Sequence, residues 1–420
     1  MTFPRAAARI SPVMNKDSIR RINTLPGGAT AAEGFVAGAA ACGVGGRGGR
    51  DLGILLSEHE CAVAAVFTRN VIEGAPLVVT REAVEGGSVR AVVVNSGNAN
   101  AATGQRGLED AYAMQALAAE ALGIEAREVA VASTGVIGGH LPMERVSAGI
   151  EVAAAGLGRE GVGFAEAILT TDTRTKEAAV RVKIGGSTVT VGGTAKGSGM
   201  IHPNMGTMLA FLTTDAAVEK GCLQETLSRA TDRTFNRVTV DGDTSPNDMA
   251  LLMANGAAGT EPLTEGSPDY AAFAGAVEAV MRHLAKEIAR DGEGATKLVE
   301  VVVEGAESEG AAAALAKSVV GSSLVKAAAY GEDANWGRVV NAMGYAGVPF
   351  DPSKVELSFG PVKVFSGGEP VAHDVEEANA ALRGDEISIL ARVGGGEGSA
   401  VAWGCDLTYE YVKINGSYRS

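Results

Sequence analysis

Aromatic residues make up only 5% of this chain of 420 residues, and histidine and cysteine number 5 and 4. With 57 glycines against so few rings, turns and the close packing of Gly and Ala carry the architecture. The scarcity of histidine leaves little choice of general base. No G-x-S-x-G elbow is present either, which excludes the usual serine hydrolase. Cys42, Cys61, Cys222 and Cys405 are scattered and form no C-x-x-C pair, which points to a reducing compartment and buried structural thiols. His59, Glu60 and Cys61 adjoin one another, yet neighbours on a strand face opposite ways, so no metal is expected there. A surplus of basic charge is also missing. Lys and Arg total 36 against 50 Asp and Glu, a net charge of -14, which disfavours nucleic acid or an anionic membrane as a partner. No apolar run reaches the roughly 18 residues of a membrane helix, and no hydrophobic signal core opens the chain, so a cytoplasmic protein is expected. Residues 1 to 21 carry Arg5, Arg9, Lys16, Arg20 and Arg21 against Asp17 alone; a frayed basic tail and a transit segment both fit that pattern.

The length calls for two modules or one large layered domain. Ala91 to Asn95 reads as a buried strand ending in the loop Ser96-Gly-Asn-Ala-Asn100, and Val129 to Ala132 as a second strand opening into Ser133-Thr-Gly-Val-Ile-Gly138. There a hydroxyl and a glycine amide meet at a strand exit, an anion-stabilising corner. Leu108, Tyr112, Gln115, Ala119 and Leu122 fall at helical spacing before Gly123. Val180, Val182 and Ile184 alternate before Gly185-Gly186, a hairpin signal whose second strand delivers Lys196. Tyr270 to Ile288 reads as a helix ended by Asp291-Gly-Glu-Gly294. Further strands are expected at Leu298 to Val303, Lys354 to Phe359, Val362 to Phe365, Glu386 to Val393 and Tyr409 to Ile414. Helices and strands intermixed in this way predict stacked α/β layers.

Several motifs fail on context. Gly43-Val-Gly-Gly-Arg-Gly48 matches the dinucleotide string, but the strand-like Asp51-Leu-Gly-Ile-Leu-Leu56 follows it. Asp241-Gly-Asp-Thr-Ser-Pro-Asn-Asp248 opens like a calcium loop, but Pro246 and Leu252 stand where the glycine and the closing glutamate belong, which leaves a polar turn. The stretch from Lys196 to Asp215 carries more. Gly206 precedes Thr207, and the apolar run Met208 to Leu212 reads as a buried strand. A threonine so placed could attack the Gly206 carbonyl and free its own α-amine, uniting nucleophile and base in one residue. A plain Gly-Thr turn entering a core strand fits the same residues.

Val94-Asn-Ser-Gly-Asn-Ala-Asn100, Ser133-Thr-Gly-Val-Ile-Gly138, Lys196-Gly-Ser-Gly-Met200, Met205-Gly-Thr-Met-Leu209, Val240-Asp-Gly-Asp-Thr-Ser245, Asp291-Gly-Glu-Gly-Ala-Thr-Lys297 and Ala334-Asn-Trp-Gly-Arg338 occur in order, followed by Trp403-Gly-Cys-Asp-Leu407 and Tyr411-Val-Lys-Ile-Asn415. Together they resemble the ornithine acetyltransferase, or glutamate N-acetyltransferase, family from about Gly27 to Ser420. The resemblance implies self-cleavage between Gly206 and Thr207 into an α chain of residues 1–206 and a β chain of residues 207–420, interleaved in one unit. It implies a layered α/β sandwich similar to N-terminal nucleophile hydrolases but differently connected, assembled as an α2β2 heterotetramer. The implied reaction moves acetyl from N-acetylornithine to glutamate in arginine synthesis and needs no cofactor; many relatives also accept acetyl-coenzyme A.

The resemblance makes Thr207 the nucleophile and gives Thr134 and Gly135 to the oxyanion, donors each worth roughly 3 to 4 kcal/mol. It maps substrate contacts to Thr170, Lys196, Thr207, Glu293, Asn415 and Ser420, with Lys196 suited to a carboxylate and Glu293 to an ammonium. The chain departs from the family pattern at Gly206, where alanine is commoner, at Ala102, at Pro246 and at Ser420, which keeps a hydroxyl. An autoprocessed aminopeptidase or amidase would use the same threonine and pass the acyl group to water. A noncatalytic assembly protein would keep the fold and stay uncut.

Overall fold

A computed structural model describes Leu25 and residues 27–45, 48–202 and 208–417. Gly206, Thr207, Ser420 and the basic stretch 1–21 lie outside the described residues.

Alternation within the strands explains the layering. In β2 (Leu52–Ser57), β4 (Ala91–Asn98) and β5 (Val129–Val136), Leu55, Val92, Val94, Ala130 and Ala132 point to one core, while Leu52, Ile54, Val93 and Val131 point to another. Neighbours on a strand face opposite sides, so a strand apolar throughout must be covered twice. With β1 (Phe35–Ala40) these strands form a sheet ordered β1-β2-β4-β5. A second sheet is ordered β3-β9-β8-β7-β6, from β3 (Ala62–Phe67), β6 (Lys176–Ile184), β7 (Ser187–Lys196), β8 (Leu209–Thr214) and β9 (Met249–Ala254). Its Leu209, Phe211, Met249, Leu251 and Met253 meet the first sheet's inner face; Phe164 stacks edge-on to Phe211 there, with ring centres 5.4 Å apart.

Helices close the outer faces. α1 (Ala75–Gly86), α2 (Gly104–Leu122) and α3 (Met143–Ala155) cover the first sheet, and the short α4 (Val162–Ala167) leads towards β6. α5 (Lys220–Arg233) and α6 (Tyr270–Arg290) cover the second; α6 lies over β6 and β7, and its Phe273, Val277, Val280, Met281 and Leu284 share one core with Ala210, Leu212 and Leu252. The order helix, sheet, sheet, helix is the expected sandwich. Beyond α6 stands a third sheet, β13-β12-β11-β14-β10-β15, from β10 (Leu298–Ala306), β11 (Glu356–Phe359), β12 (Val362–Ser366), β13 (Glu369–Pro370), β14 (Glu386–Arg392) and β15 (Gly398–Cys405). Its own core includes α7 (Glu309–Gly321), α8 (Ser323–Tyr330), α9 (Trp336–Gly344) and α10 (Val375–Ala380).

One expectation needs correction. Residues 409–414 are not a strand but part of a helix, α11 (Tyr409–Ser417). Alternating Tyr409, Tyr411 and Lys413 imitate strand periodicity, whereas Tyr411 and Asn415, one helical turn apart, share the face that meets the fold. The helix expected before Gly123 is present as α2; its buried stripe is Gly107, Ala111, Met114, Gln115, Ala118 and Ala119, and Tyr112 is exposed and donates to Glu82. Among the described residues no single helix is long and apolar enough to cross a membrane, and no group of three or more His, Cys, Asp and Glu residues could hold a metal ion.

Candidate active site

Where β5 leaves the first sheet, its pairing with β4 is interrupted: Asn98 faces both Thr134 and Val136. Gly135 takes φ +134°, and a β-carbon there would stand 2.3 Å from the Gly97 carbonyl carbon. Only glycine fits so close an approach, and the resulting bulge turns Thr134 and the Gly135 backbone to a cleft. Asparagines lock this corner. Asn95 donates to the Asn98 carbonyl (2.9 Å), the Ser133 hydroxyl donates to Asn95 (2.6 Å), and Asn247 donates to the Ser133 carbonyl (2.7 Å).

The cleft, about 270 Å³, lies where the end of β7 meets the starts of β8 and β9. Thr134, Gly135, Thr170, Lys196, Glu293 and Asn415 all line it, so the structure brings together every expected site residue it describes. Met208, next in the chain after Thr207, lines it too.

One side is cationic and donor-rich. Lys196 Nζ donates to Thr170 Oγ1 at 2.7 Å and to Thr134 Oγ1 at 3.3 Å, and lies 3.9 Å from the Asp172 carboxylate. The Asp172 side chain is fully buried and accepts from Lys176 Nζ (2.7 Å), the Gly197 amide (2.7 Å) and the Thr170 amide (3.1 Å). Lys176 Nζ also donates to Asp291 at 2.6 Å, where Thr173 is bound as well. Charges thus alternate inward through Lys196, Asp172, Lys176 and Asp291. Burial alone would raise the pKa of Asp172, but the Lys196 and Lys176 ammoniums and the Gly197 amide bring it down to about 2. Lys196 is pulled down by burial, against the opposing pull of Asp172.

The other side is acidic. Glu293 accepts from Asn415 Nδ2 at 2.6 Å, its backbone amide donates to the Ser198 carbonyl at 3.0 Å, and its side chain lies against Gly199. Asp241 accepts from the Met200 and Ile201 amides at 2.6 and 2.8 Å and from the Tyr411 hydroxyl at 3.3 Å. Burial raises the Asp241 carboxyl despite these amides, and with Asp241 and Glu293 nearby it also pushes the Tyr411 phenol up. In the sequence Asp241 and Asn247 read only as members of a polar turn and Tyr411 as part of an expected strand, and the fold brings all three to the cleft. Burial raises all four thiols, Cys42 to about 12 and Cys61 to about 11, so none is poised as a nucleophile.

The ArgJ family model matches residues 36–420. A relative from Symbiobacterium thermophilum, an arginine biosynthesis bifunctional protein ArgJ, is 58% identical over 94% of this chain and 99% of its own. One of the same name from Bacillus subtilis is 49% identical over 97% and 99%. The crystal structure of an ArgJ protein from Bacillus halodurans, 50% identical, covers 50% of this chain and 100% of its own, with a TM-score of 0.50. The chain belongs to the ArgJ family.

Proposed function

We propose that this cleft transfers acetyl from N-acetylornithine to glutamate through an acetyl ester on Thr207, within arginine biosynthesis. The observation that carries the reading is the convergence of Thr134, Gly135, Lys196 and Glu293 on a cleft lined by Met208, the residue covalently attached to Thr207. The Thr207 hydroxyl adds to the acetamide carbonyl while its α-amine, with an ordinary pKa of about 7.7 to 8.0, takes the proton. Thr134 and the Gly135 amide donate to the oxygen that gains charge. Ornithine leaves with the proton, and the glutamate amine collects acetyl from the ester. Lys196 serves a substrate carboxylate and Glu293 an ammonium, matching the cleft's two poles.

The α-amine exists only if the chain is cut before Thr207. The Bacillus halodurans chain, matched over its whole length yet covering 50% of this one, has the extent that one product of a cut near the middle would have. An α2β2 assembly follows from two such cut units. The word bifunctional in the relatives' names supports a second activity, for which the resemblance implies acetyl-coenzyme A as the donor to glutamate.

Intact mass and N-terminal sequencing of the purified protein beside Thr207→Ala test the reading. Two fragments, the second beginning Thr-Met-Leu-Ala, and an uncut variant are expected, with acetylglutamate formed from N-acetylornithine. An uncut wild type refutes the mechanism; acetate release unaffected by glutamate points to an amidase. Native mass and an assay with acetyl-coenzyme A decide assembly and the second donor.

A further inference from the structure

A lysine ammonium has three N–H donors and no acceptor. Each hydroxyl it touches must therefore accept from it, which settles where the hydroxyl's own proton does not point. Lys196 Nζ touches Thr134 Oγ1 at 3.3 Å and Thr170 Oγ1 at 2.7 Å. Among the described residues no acceptor takes the Thr134 proton, and Thr134 lines the cleft. We propose that Lys196 is a positioning residue for the oxyanion donor: by donating to the Thr134 hydroxyl it aims that hydroxyl's proton into the cleft and strengthens it as a donor.

This deepens the acetyl-threonine reading and rests on it. The arrangement is built rather than incidental. Lys196 is only 7% exposed, and its ammonium lies 3.9 Å from the Asp172 carboxylate, itself fixed by Lys176 and the Gly197 and Thr170 amides. A charge-assisted bond into a hydroxyl polarises that hydroxyl's outward bond, and chains of hydrogen bonds reinforce one another where water is excluded. Two of the three ammonium donors are engaged by hydroxyls, which leaves one for a substrate carboxylate. The lysine thus has a task that does not depend on the substrate carrying a carboxylate.

That independence can be measured with 4-nitrophenyl acetate, a neutral acetyl donor without carboxylate or ammonium. The burst of 4-nitrophenolate from the self-cleaved enzyme reports acetylation of Thr207, with Thr207→Ala as the blank. Thr134→Val should slow the burst about a hundredfold to a thousandfold. Lys196→Met should slow it about tenfold, and adding Lys196→Met to Thr134→Val should cost no more than about twofold further. Lys196→Gln keeps N–H donors without the charge and should fall between wild type and Lys196→Met. It also supplies the cycle if Lys196→Met does not accumulate as folded, cleaved protein. A lysine variant that bursts at the wild-type rate while its KM for N-acetylornithine rises would show that Lys196 serves the carboxylate alone and would overturn the proposal. So would a double variant as slow as the product of the single effects. A wild type with no burst overturns the acetyl-threonine reading itself.

Discussion

The Glu293 carboxylate lies so close to Gly199 that a β-carbon on the glycine would stand 2.3 Å from Glu293 Oε1. Gly199 has no positive φ, so glycine is there for room rather than for backbone freedom. The atoms in the way are the far end of a flexible side chain, which can swing aside at small cost to the fold. Gly199→Ala should therefore leave stability within about 1 kcal/mol of wild type while moving the carboxylate off Asn415. KM for N-acetylornithine should rise about tenfold, the order expected for one weakened charged contact. Steady-state kinetics beside a thermal melt checks both halves; an unchanged KM would remove Glu293 from the ammonium role.

Asp172 stands between two lysine ammoniums, its carboxylate fully buried. Asp172→Asn keeps the shape and removes the charge, leaving Lys176 with Asp291 alone and Lys196 without its nearest carboxylate. Breaking one member of a buried charged set costs about 3 to 5 kcal/mol. The pKa of Asp172, held near 2 by its lysines, gives the sign with pH. Its contribution is complete above the ordinary carboxylate range and is lost as pH falls from there through about 2. Urea unfolding at pH 7 and pH 3 should show a smaller gap between wild type and Asp172→Asn at the lower value.

How much of this was legible beforehand depended on whether local pattern and tertiary packing agreed. The hairpin of β6 and β7 was readable because Val180, Val182 and Ile184 alternate and Gly185-Gly186 supplies the turn. Helix α6 was readable because a long amphipathic stripe has one interpretation. Helix α11 was not, since none of its side chains is buried and no apolar stripe marks it; it is tied down by Thr408 to the Gly294 carbonyl, Tyr411 to Asp241 and Asn415 to Glu293. The site divided the same way. Thr134 and Gly135 announced themselves as a hydroxyl and glycine at a strand exit, whereas Asp241 read only as part of a polar turn. Its partners, the Met200 and Ile201 amides, are some 40 residues away in the chain, and only folding brings them together.

His202 carries a pH signature of its own. Burial disfavours its imidazolium and the nearby Lys317 ammonium adds to this, so its pKa falls from 6.5 to about 4; Nδ1 lies 3.0 Å from Thr239 Oγ1. Well above pH 6.5 neither folded nor unfolded chain protonates this ring appreciably. Between 6.5 and about 4 the unfolded chain binds the proton and the folded one does not, so stability falls with falling pH. His202→Gln removes the titration and should flatten that part of the wild-type slope. Urea midpoints at pH 7 and pH 5 for both proteins would show it, and parallel slopes would refute it.

Gly135 and Gly138 separate two costs that usually come together. Both have positive φ, +134° and +85°, so alanine is strained at either. At Gly138 nothing lies within 4 Å of the new β-carbon, and Gly138→Ala should cost about 1 to 2 kcal/mol from backbone strain alone. At Gly135 the new carbon would meet the Gly97 carbonyl carbon at 2.3 Å and the Asn98 nitrogen at 2.5 Å. Backbone atoms cannot rotate away, so the β4 and β5 strands must part where Thr134 is presented. Gly135→Ala should then cost roughly 2 to 3 kcal/mol more than Gly138→Ala and slow acetylation of Thr207 by at least about a hundredfold. Denaturant midpoints read the first difference and the 4-nitrophenyl acetate burst the second. Equal losses in the two variants would mean that the approach of Gly135 to Gly97 is not what shapes the oxyanion corner.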